Sequence, residues 1–312
     1  SDPSSFNPVD LNTTQWAEVM HSLGAQHAIL TAKHGCGFAL WPTTYKFPDG
    51  SRYGYDVASG FGRDVLLEFS EAMAKHNIGH GFYYSLTNNF YLDVYHHLVQ
   101  NTTNLLPGQK RVTQQEFEDL ALFQVSELWQ NYGNLTEVWF DGGYTGDMKS
   151  SLQDLLTRFQ PNAAAFGGAG VSPSPLCWVG TETGIPGGEL WSSGYSTPHG
   201  NPNDPHFCPR ACDTTLQIGD AWFYEAALPI RSLSNLIDVY HATVGMNGVL
   251  ELDFAIDRSG LVTESHAKRY AELGAWIQSC YGTPLASQKN RSMTLTADLE
   301  TPSRLVDRVV IS

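Results

Sequence analysis

Two carboxylates in this 312-residue chain follow segments that are typical of buried β-strands. Asp141 comes directly after the apolar run Val138-Trp139-Phe140, and Glu182 comes shortly after Cys177-Trp178-Val179. In parallel α/β folds, residues at the carboxyl ends of the strands line the active site. A carboxylate pair at such ends could cleave a glycosidic bond, with one group as nucleophile and the other as acid/base.

These two roles require different protonation states at neutral pH. We expect burial beside Trp178 to raise the pKa of Glu182, while Asp141 stays ionised. Glu189, in a loop rich in Gly and Pro, is a rival for the acid/base role. The Asp-Gly pair could instead close a β-hairpin, but the helix predicted over 147–160 favours a strand-loop-helix unit.

Strand and helix signals alternate along most of the chain. Helices are predicted over 13–23, 64–76, 113–132, 147–160, 232–244 and 262–281, and strands over 28–32, 78–85, 138–140, 163–166, 177–179 and 249–254. Repeated βα units favour a TIM-like (β/α) barrel over a doubly wound sheet. The strand signals fall short of the eight that close such a barrel, so we expect its first strand to be missing. Another segment or chain would then cover the open edge beside 28–32.

Two further segments differ from the rest of the chain in composition or in residue pattern. Residues 180–219 are rich in Gly, Pro, Ser and Asn, which predicts a long functional loop. Beyond Pro284, residues 294–298 and 305–311 alternate as β-strands do. The predicted domains are therefore a catalytic barrel over 1–283 and the opening strands of a truncated C-terminal β domain over 284–312.

Composition excludes several classes of partner. The 18 Lys and Arg against 32 Asp and Glu give a net charge of −14, which argues against nucleic acid or an anionic membrane surface. No apolar run reaches the roughly 18–20 residues of a membrane span. A nucleotide-binding glycine motif and a P-loop are both absent from the sequence. Cys208 and Cys212 are close enough in the sequence to form a disulfide. They lack a second pair of ligands at the spacing of a zinc site, so no metal is predicted there. No cofactor is predicted either.

Four N-x-[S/T] sequons are candidates for glycosylation, at Asn12, Asn101, Asn134 and Asn290. They give mild support for a secreted or lysosomal/vacuolar glycoprotein. The start at Ser1, without Met, is typical of a processed or truncated chain. The adjacent histidines at 96 and 97 are interpreted as a solvated helix face and are given no role.

Several motifs occur in order on the predicted strands. The most specific are Ala32-Lys33-His34-Gly35-Cys36-Gly37-Phe38, Gly81-Phe82-Tyr83-Tyr84-Ser85, Val138-Trp139-Phe140-Asp141-Gly142, Val179-Gly180-Thr181-Glu182 and Gly248-Val249-Leu250-Glu251-Leu252-Asp253. Together they make residues 5 to 311 resemble the retaining α-L-fucosidases of glycoside hydrolase family 29. The resemblance implies a (β/α) barrel followed by a β-sandwich, and release of terminal α-L-fucose from fucosylated glycans.

The resemblance also implies roles for individual residues. Asp141 falls on the nucleophile and Glu182 on the acid/base, in a form typical of the subgroup that prefers α-1,3/1,4-linked fucose. His34 matches a histidine that hydrogen-bonds fucose hydroxyls. Tyr84 matches an aromatic residue that lines the sugar pocket, and Trp139 matches a pocket indole.

The chain departs from the family pattern at several positions. Gly35 replaces a second histidine, Cys177 a basic residue and Ala211 a glutamate, and the family's first barrel strand would precede Ser1. Two alternatives therefore stay open: a retaining glycosidase for another sugar, and a fucose-binding or repurposed barrel with little or no hydrolytic activity.

Overall fold

The computed structural model describes residues 2–186, 208–219 and 221–282. The helices in these ranges are α1 (Thr13–Leu23), α2 (Val65–Lys75), α3 (Gln114–Asn131), α4 (Lys149–Phe159), α5 (Leu233–Thr243) and α6 (Glu264–Tyr281). The strands are β1 (His27–Lys33), β2 (Gly79–Tyr84), β3 (Val94–Tyr95), β4 (Leu98–Val99), β5 (Glu137–Trp139), β6 (Ala164–Phe166), β7 (Pro175–Trp178), β8 (Arg210–Thr214) and β9 (Val249–Leu252).

Seven of these strands form one parallel sheet, in the order β1-β2-β5-β6-β7-β8-β9. The sheet is strongly curled, so that its first and last strands come close together. The side chain of His27 on β1 lies 3.3 Å from that of Glu251 on β9. β1 and β9 do not pair with each other within the described residues. The prediction of an α/β fold with an unclosed parallel barrel sheet is therefore confirmed for this part of the chain.

The outer layer of helices closes where the sheet does not. α1 and α6 pack directly against each other across the gap between β1 and β9. Gly274 permits this approach, since a Cβ atom at that position would lie 2.1 Å from the carbonyl oxygen of Ser22. The gap is thus an opening in the strand layer that lies beneath a continuous helix pair.

Two predicted helix starts, at Asp64 and Thr113, are confirmed by their caps. Asp64 accepts a hydrogen bond from the backbone N–H of Leu67 at the start of α2. Thr113 and Glu116 form the predicted capping box at the start of α3, in which each side chain accepts from the other residue's backbone N–H. Such a cap contributes about 1 kcal/mol, so these residues define where each helix begins.

The predicted loop over 180–219 is wrong in one part, because it contains β8. All five residues of β8 are buried, and they pair with β7 on one side and β9 on the other. Arg210 and Asp213 interrupt the apolar pattern that marks a buried strand, so the usual signal is absent. The disulfide between Cys208 and Cys212 that their spacing would allow is not formed, since Cys208 bonds to Cys177 and Cys212 is buried and free.

His96 and His97 do not lie on a helix. They form the two-residue turn between β3 and β4, with φ angles of 47° and 65°. Two successive positive φ angles define a type I′ turn, which normally uses Asn and Gly. Histidines are unusual there, which explains why the sequence did not indicate a hairpin.

The predicted C-terminal β domain over 284–312 and the sequon at Asn290 lie outside the described residues. The other three sequon asparagines, Asn12, Asn101 and Asn134, are exposed. Among the helices of the described part, none combines the length and apolar character needed to cross a membrane.

We expect the Cys177–Cys208 disulfide to stabilise the fold, because it closes a loop between residues 31 positions apart. Replacing both cysteines with alanine should lower the free energy of unfolding by about 2–4 kcal/mol. Urea denaturation under non-reducing conditions measures this loss. Cys280→Ala, which removes an exposed free thiol, is the matched control. An unchanged midpoint in the double variant would contradict the expectation.

Candidate active site

The inner faces of the curled strands meet in one cavity of about 1980 Å³. At its carboxyl-end mouth the lining side chains are His34, Tyr83, Trp139, Asp141, Trp178, Glu182, Asp213, Trp222, Phe223 and Tyr224. Four of the five residues predicted for the site are in this group. Side chains two residues apart point to the same face of a strand, so Trp139 and Asp141 share the inner face of β5 and its extension.

Asp141 is held by two hydrogen bonds, one from β2 and one from the loop that follows this strand. The Tyr83 hydroxyl donates to Asp141 Oδ2 at 2.5 Å, and the Thr87 hydroxyl donates to the Asp141 carbonyl oxygen at 2.8 Å. Gly142 has a φ angle of 69°, and a Cβ atom there would lie 2.3 Å from Thr87 Oγ1. Glycine is therefore required directly after the carboxylate. The Tyr83 bond thus engages one carboxylate oxygen of Asp141, a residue that is exposed at the cavity mouth.

The prediction that Tyr84 lines the pocket is wrong, and Tyr83 occupies that place. Tyr84 is only 4% exposed and lies on the outer face of β2, where its hydroxyl donates to Gln124 Oε1 of α3 at 2.7 Å. The alternation of side chains along a strand places Gly79, Gly81 and Tyr83 on the inner face. The two inner glycines were the signal that could have identified Tyr83 as the inward tyrosine.

Burial, reinforced by the neighbouring Asp141 carboxylate, raises the pKa of the Tyr83 phenol above its ordinary value. Tyr83 consequently stays protonated and acts as a donor. Burial lowers the pKa of His34, against the opposing attraction of Asp141, which favours a neutral imidazole. The His34 ring stacks on Tyr83 with centroids 5.5 Å apart and meets the edge of Phe223 at 5.3 Å. A neutral imidazole can both donate to and accept from a ligand hydroxyl group.

Glu182 is fixed by neighbours from β8 and the segment that follows it. The Thr214 hydroxyl donates to the Glu182 carbonyl oxygen at 2.8 Å, and the Trp222 indole N–H donates to Glu182 Oε2 at 3.2 Å. The side chain is exposed at the cavity mouth. The expectation that Trp178 buries Glu182 is wrong, because the Trp178 indole turns to Asp213. The rival Glu189 lies outside the described residues.

Asp213 is a third carboxyl group at the mouth of this cavity, which the sequence did not indicate. It is 7% exposed and accepts a hydrogen bond of 2.7 Å from Trp178 Nε1. Burial raises its pKa to about 6, although the bond from Trp178 acts in the opposite direction. A carboxyl group that titrates near neutrality can serve as a proton donor. It was missed because β8, whose carboxyl end carries it, was not recognised.

Aromatic side chains surround the carboxylates. The Trp139 ring stacks on Phe166 with centroids 3.7 Å apart and planes at 12°, which fixes its orientation. Phe223 is 64% exposed at the mouth. The triplet Trp222-Phe223-Tyr224 was the missed signal for these residues, since three consecutive aromatic residues in a loop seldom serve packing alone. Aromatic faces of this kind suit the apolar faces of a small ring-shaped ligand.

The β3–β4 turn also reaches the site. His97 Nε2 lies 3.3 Å from the carbonyl oxygen of Gly142, the residue that follows Asp141. The strained backbone of His96 and His97 costs about 1–3 kcal/mol per residue and is typical of functional regions. The turn therefore supports the loop that carries the catalytic candidate.

A curled parallel sheet of βα units, with carboxylates and aromatic residues at the carboxyl ends of the strands, defines the class of (β/α)-barrel catalytic domains. Within that class, the sequence model for α-L-fucosidases matches residues 3–282. The chain belongs to the α-L-fucosidase family.

The chain is 30% identical to α-L-fucosidase 1 of Arabidopsis thaliana over 306 residues, which cover 92% of this chain and 55% of the plant protein. It is 22% identical to the plasma α-L-fucosidase of Homo sapiens, over 98% of this chain and 62% of that protein. The chain thus spans about half the length of curated relatives that it matches. A crystal structure of a glycoside hydrolase 29 family member from an unknown rumen bacterium superimposes with a TM-score of 0.74, at 26% identity, over 93% of this chain and 54% of that one.

The two adjacent tyrosines of β2 offer a matched test of the site geometry. Tyr84→Phe leaves the buried Gln124 oxygen without a donor, so the free energy of unfolding should fall by about 1–3 kcal/mol. Tyr83→Phe should cost less, because Asp141 is exposed and water can replace the lost donor. Urea denaturation of both variants measures the difference. A larger loss for Tyr83→Phe would contradict the assignment of inner and outer faces.

Proposed function

We propose that this chain is the catalytic part of a retaining α-L-fucosidase that releases terminal fucose from fucosylated glycans. The observation that carries the proposal is Asp141, held by Tyr83 at the end of β5, in one cavity with Glu182. Membership of the α-L-fucosidase family supports fucose as the sugar. By its resemblance to the corresponding subgroup, we propose a preference for α-1,3- or α-1,4-linked fucose.

In this mechanism Asp141 attacks the anomeric carbon of fucose and forms a covalent glycosyl-enzyme. Glu182 protonates the departing glycosidic oxygen and then removes a proton from the attacking water. Double displacement requires the two carboxyl groups to be about 5–5.5 Å apart when substrate is bound. The bond from Trp222 orients Glu182, and the bond from Tyr83 leaves one Asp141 oxygen available for attack.

The remaining side chains of the mouth would position the sugar. His34, between Tyr83 and Phe223, can exchange hydrogen bonds with fucose hydroxyls. The fixed Trp139 indole offers a face to the apolar side of the ring. Gly35 removes one sugar contact of the family pattern, and Ala211 removes a glutamate whose loss would affect binding outside the fucose subsite. These departures keep open the alternative of a fucose-binding barrel with little turnover.

We further propose that the protein is secreted or resides in a lysosomal or vacuolar compartment. The Cys177–Cys208 disulfide suits an oxidising environment. The exposed sequons at Asn12, Asn101 and Asn134 would be available for glycosylation there. Relatives named as plasma and tissue fucosidases support the same setting.

The nucleophile is tested with 4-nitrophenyl α-L-fucoside. Asp141→Ala should reduce turnover by about 10³-fold or more, because the covalent route is lost. Azide should restore part of the rate by attacking from the vacated space. Asp147→Ala removes an exposed acid six residues away and should leave turnover unchanged. A correctly folded Asp141→Ala protein with near-normal turnover would refute the role.

The acid/base is identified by leaving-group dependence. Glu182→Ala should slow fucosides with poor leaving groups far more than aryl fucosides, whose departure needs little protonation. Asp213→Asn is the matched variant, since Asp213 is the buried carboxyl group among the three at the cavity mouth. If Asp213→Asn or Glu189→Ala shows this dependence and Glu182→Ala does not, the role belongs to that residue instead.

A further inference from the structure

A second cluster of ionisable side chains lies deeper in the strand layer, away from the cavity mouth. It consists of His27 on β1, Glu137 on β5 and Glu251 on β9. Glu137 precedes Asp141 by four residues on the same strand, so the cluster lies about 13 Å below the nucleophile candidate. The three residues are far apart in the sequence. Glu251 lies within the motif 248–253, but the resemblance gives none of the three a role, and the proposed mechanism does not use them.

The glycines of β2 bring this cluster together. β2 lies between β1 and β5, and its inner face carries Gly79 and Gly81 at the level of His27 and Glu137. A Cβ atom on Gly81 would lie 2.0 Å from the Glu137 carbonyl oxygen. Since no side chain of β2 intervenes, the His27 imidazole reaches Glu137 across a whole strand.

The geometry is poor for hydrogen bonds alone. His27 Nε2 lies 3.4 Å from Glu137 Oε2 and 3.3 Å from Glu251 Oε1, both longer than the usual 2.9–3.0 Å or so of an N–H···O bond. One ring nitrogen carries at most one proton and cannot serve both carboxylates well. The side chain of Glu137 is only 1% exposed, and its Oε1 has no hydrogen-bond partner among the described residues. Such a buried orphan oxygen calls for a missing partner.

The distances from His27 Nε2 to the two carboxylate oxygens match those between two ligand atoms of one metal ion. Two ligand atoms that each lie about 2.0–2.1 Å from a tetrahedral zinc ion are about 3.3–3.4 Å apart. All three ligand atoms lie within 4.8 Å of one another. Two carboxylates balance a divalent charge, and an imidazole selects transition metals over magnesium or calcium. His27 and Glu251 line the central cavity, and His27 is 24% exposed, so an ion and a water ligand can reach the cluster from that cavity.

We propose that His27, Glu137 and Glu251 form a binding site for a divalent transition-metal ion of the Zn²⁺ type. The ion joins β1 and β9, the two edge strands of the curled sheet, to β5, the third strand in the sheet order. Its role is structural, because the site is remote from the carboxylates at the mouth. This inference does not depend on the proposed hydrolysis of fucosides.

The test uses the full chain after chelator treatment and dialysis, titrated with Zn²⁺ and with Co²⁺. Wild type should bind one equivalent at this site, and bound Co²⁺ should show visible bands without a thiolate charge-transfer band. His27→Ala and Glu251→Gln should each weaken binding by at least about 100-fold. At a free Zn²⁺ concentration 100-fold above Kd, the Tm of wild type should rise by about 5 °C, and that of the variants should not.

His21→Ala, which removes an exposed histidine from α1, is the control and should bind like wild type. If His27→Ala does not fold, Glu251→Gln decides the matter, because glutamine keeps the size of the side chain and one acceptor oxygen. Absence of binding to wild type would overturn the proposal and leave a triad that shares protons. Equal affinity in wild type and Glu251→Gln would overturn it as well.

Discussion

The alternation of side chains along parallel strands is the constraint on which this structure depends. Because the sheet is curled, the inner positions of all seven strands face one another across a single cavity. β5 shows the consequence most simply. Glu137, Trp139 and, just beyond the strand, Asp141 follow one another at two-residue intervals on the inner face. One short segment thereby supplies one residue of the deep cluster, one aromatic residue of the cavity wall and the carboxylate at the mouth.

Glycines determine how closely neighbouring strands and turns approach this line of residues. Gly81 allows the β5 backbone to approach β2, and Gly142 allows Thr87 to bond directly behind Asp141. Both contacts would be blocked by a Cβ atom. Tyr83, which bonds to Asp141, is on β2, and the other inner residues of this strand are Gly79 and Gly81. Because these glycines have no side chains, the His27 side chain has room beside them.

Much of the fold could be predicted from the sequence, because its signals are local. Asp64 and the Thr113 capping box mark helix starts, and the apolar run at 138–140 marks a strand, within a few residues of chain. β8 could not be recognised, since its buried Arg210 and Asp213 depend on partners that only the sheet supplies. The same miss concealed Asp213 as a site residue.

The sequence could not show which of two adjacent residues faces the cavity, because this depends on how the strand is aligned with its neighbours, and local patterns do not determine that alignment. Tyr83 and Tyr84 have equal propensity for a strand, and only their partners, Asp141 and Gln124, separate inner from outer. The disulfide likewise joins positions 31 residues apart that meet only after β7 and β8 pair. The cluster of His27, Glu137 and Glu251 unites three strands, so no motif could have indicated it.

The central claim is that Asp141 becomes covalently bonded to the sugar. The most direct measurement is mass spectrometry of peptides from the protein after inactivation with a 2-deoxy-2-fluoro-fucosyl fluoride, which slows hydrolysis of the intermediate more than its formation. The account predicts one fluorofucosyl group per chain, on the peptide that contains Asp141, and none in the Asp141→Ala protein. A label on Glu182 or Asp213, or no covalent label on an active protein, would contradict it.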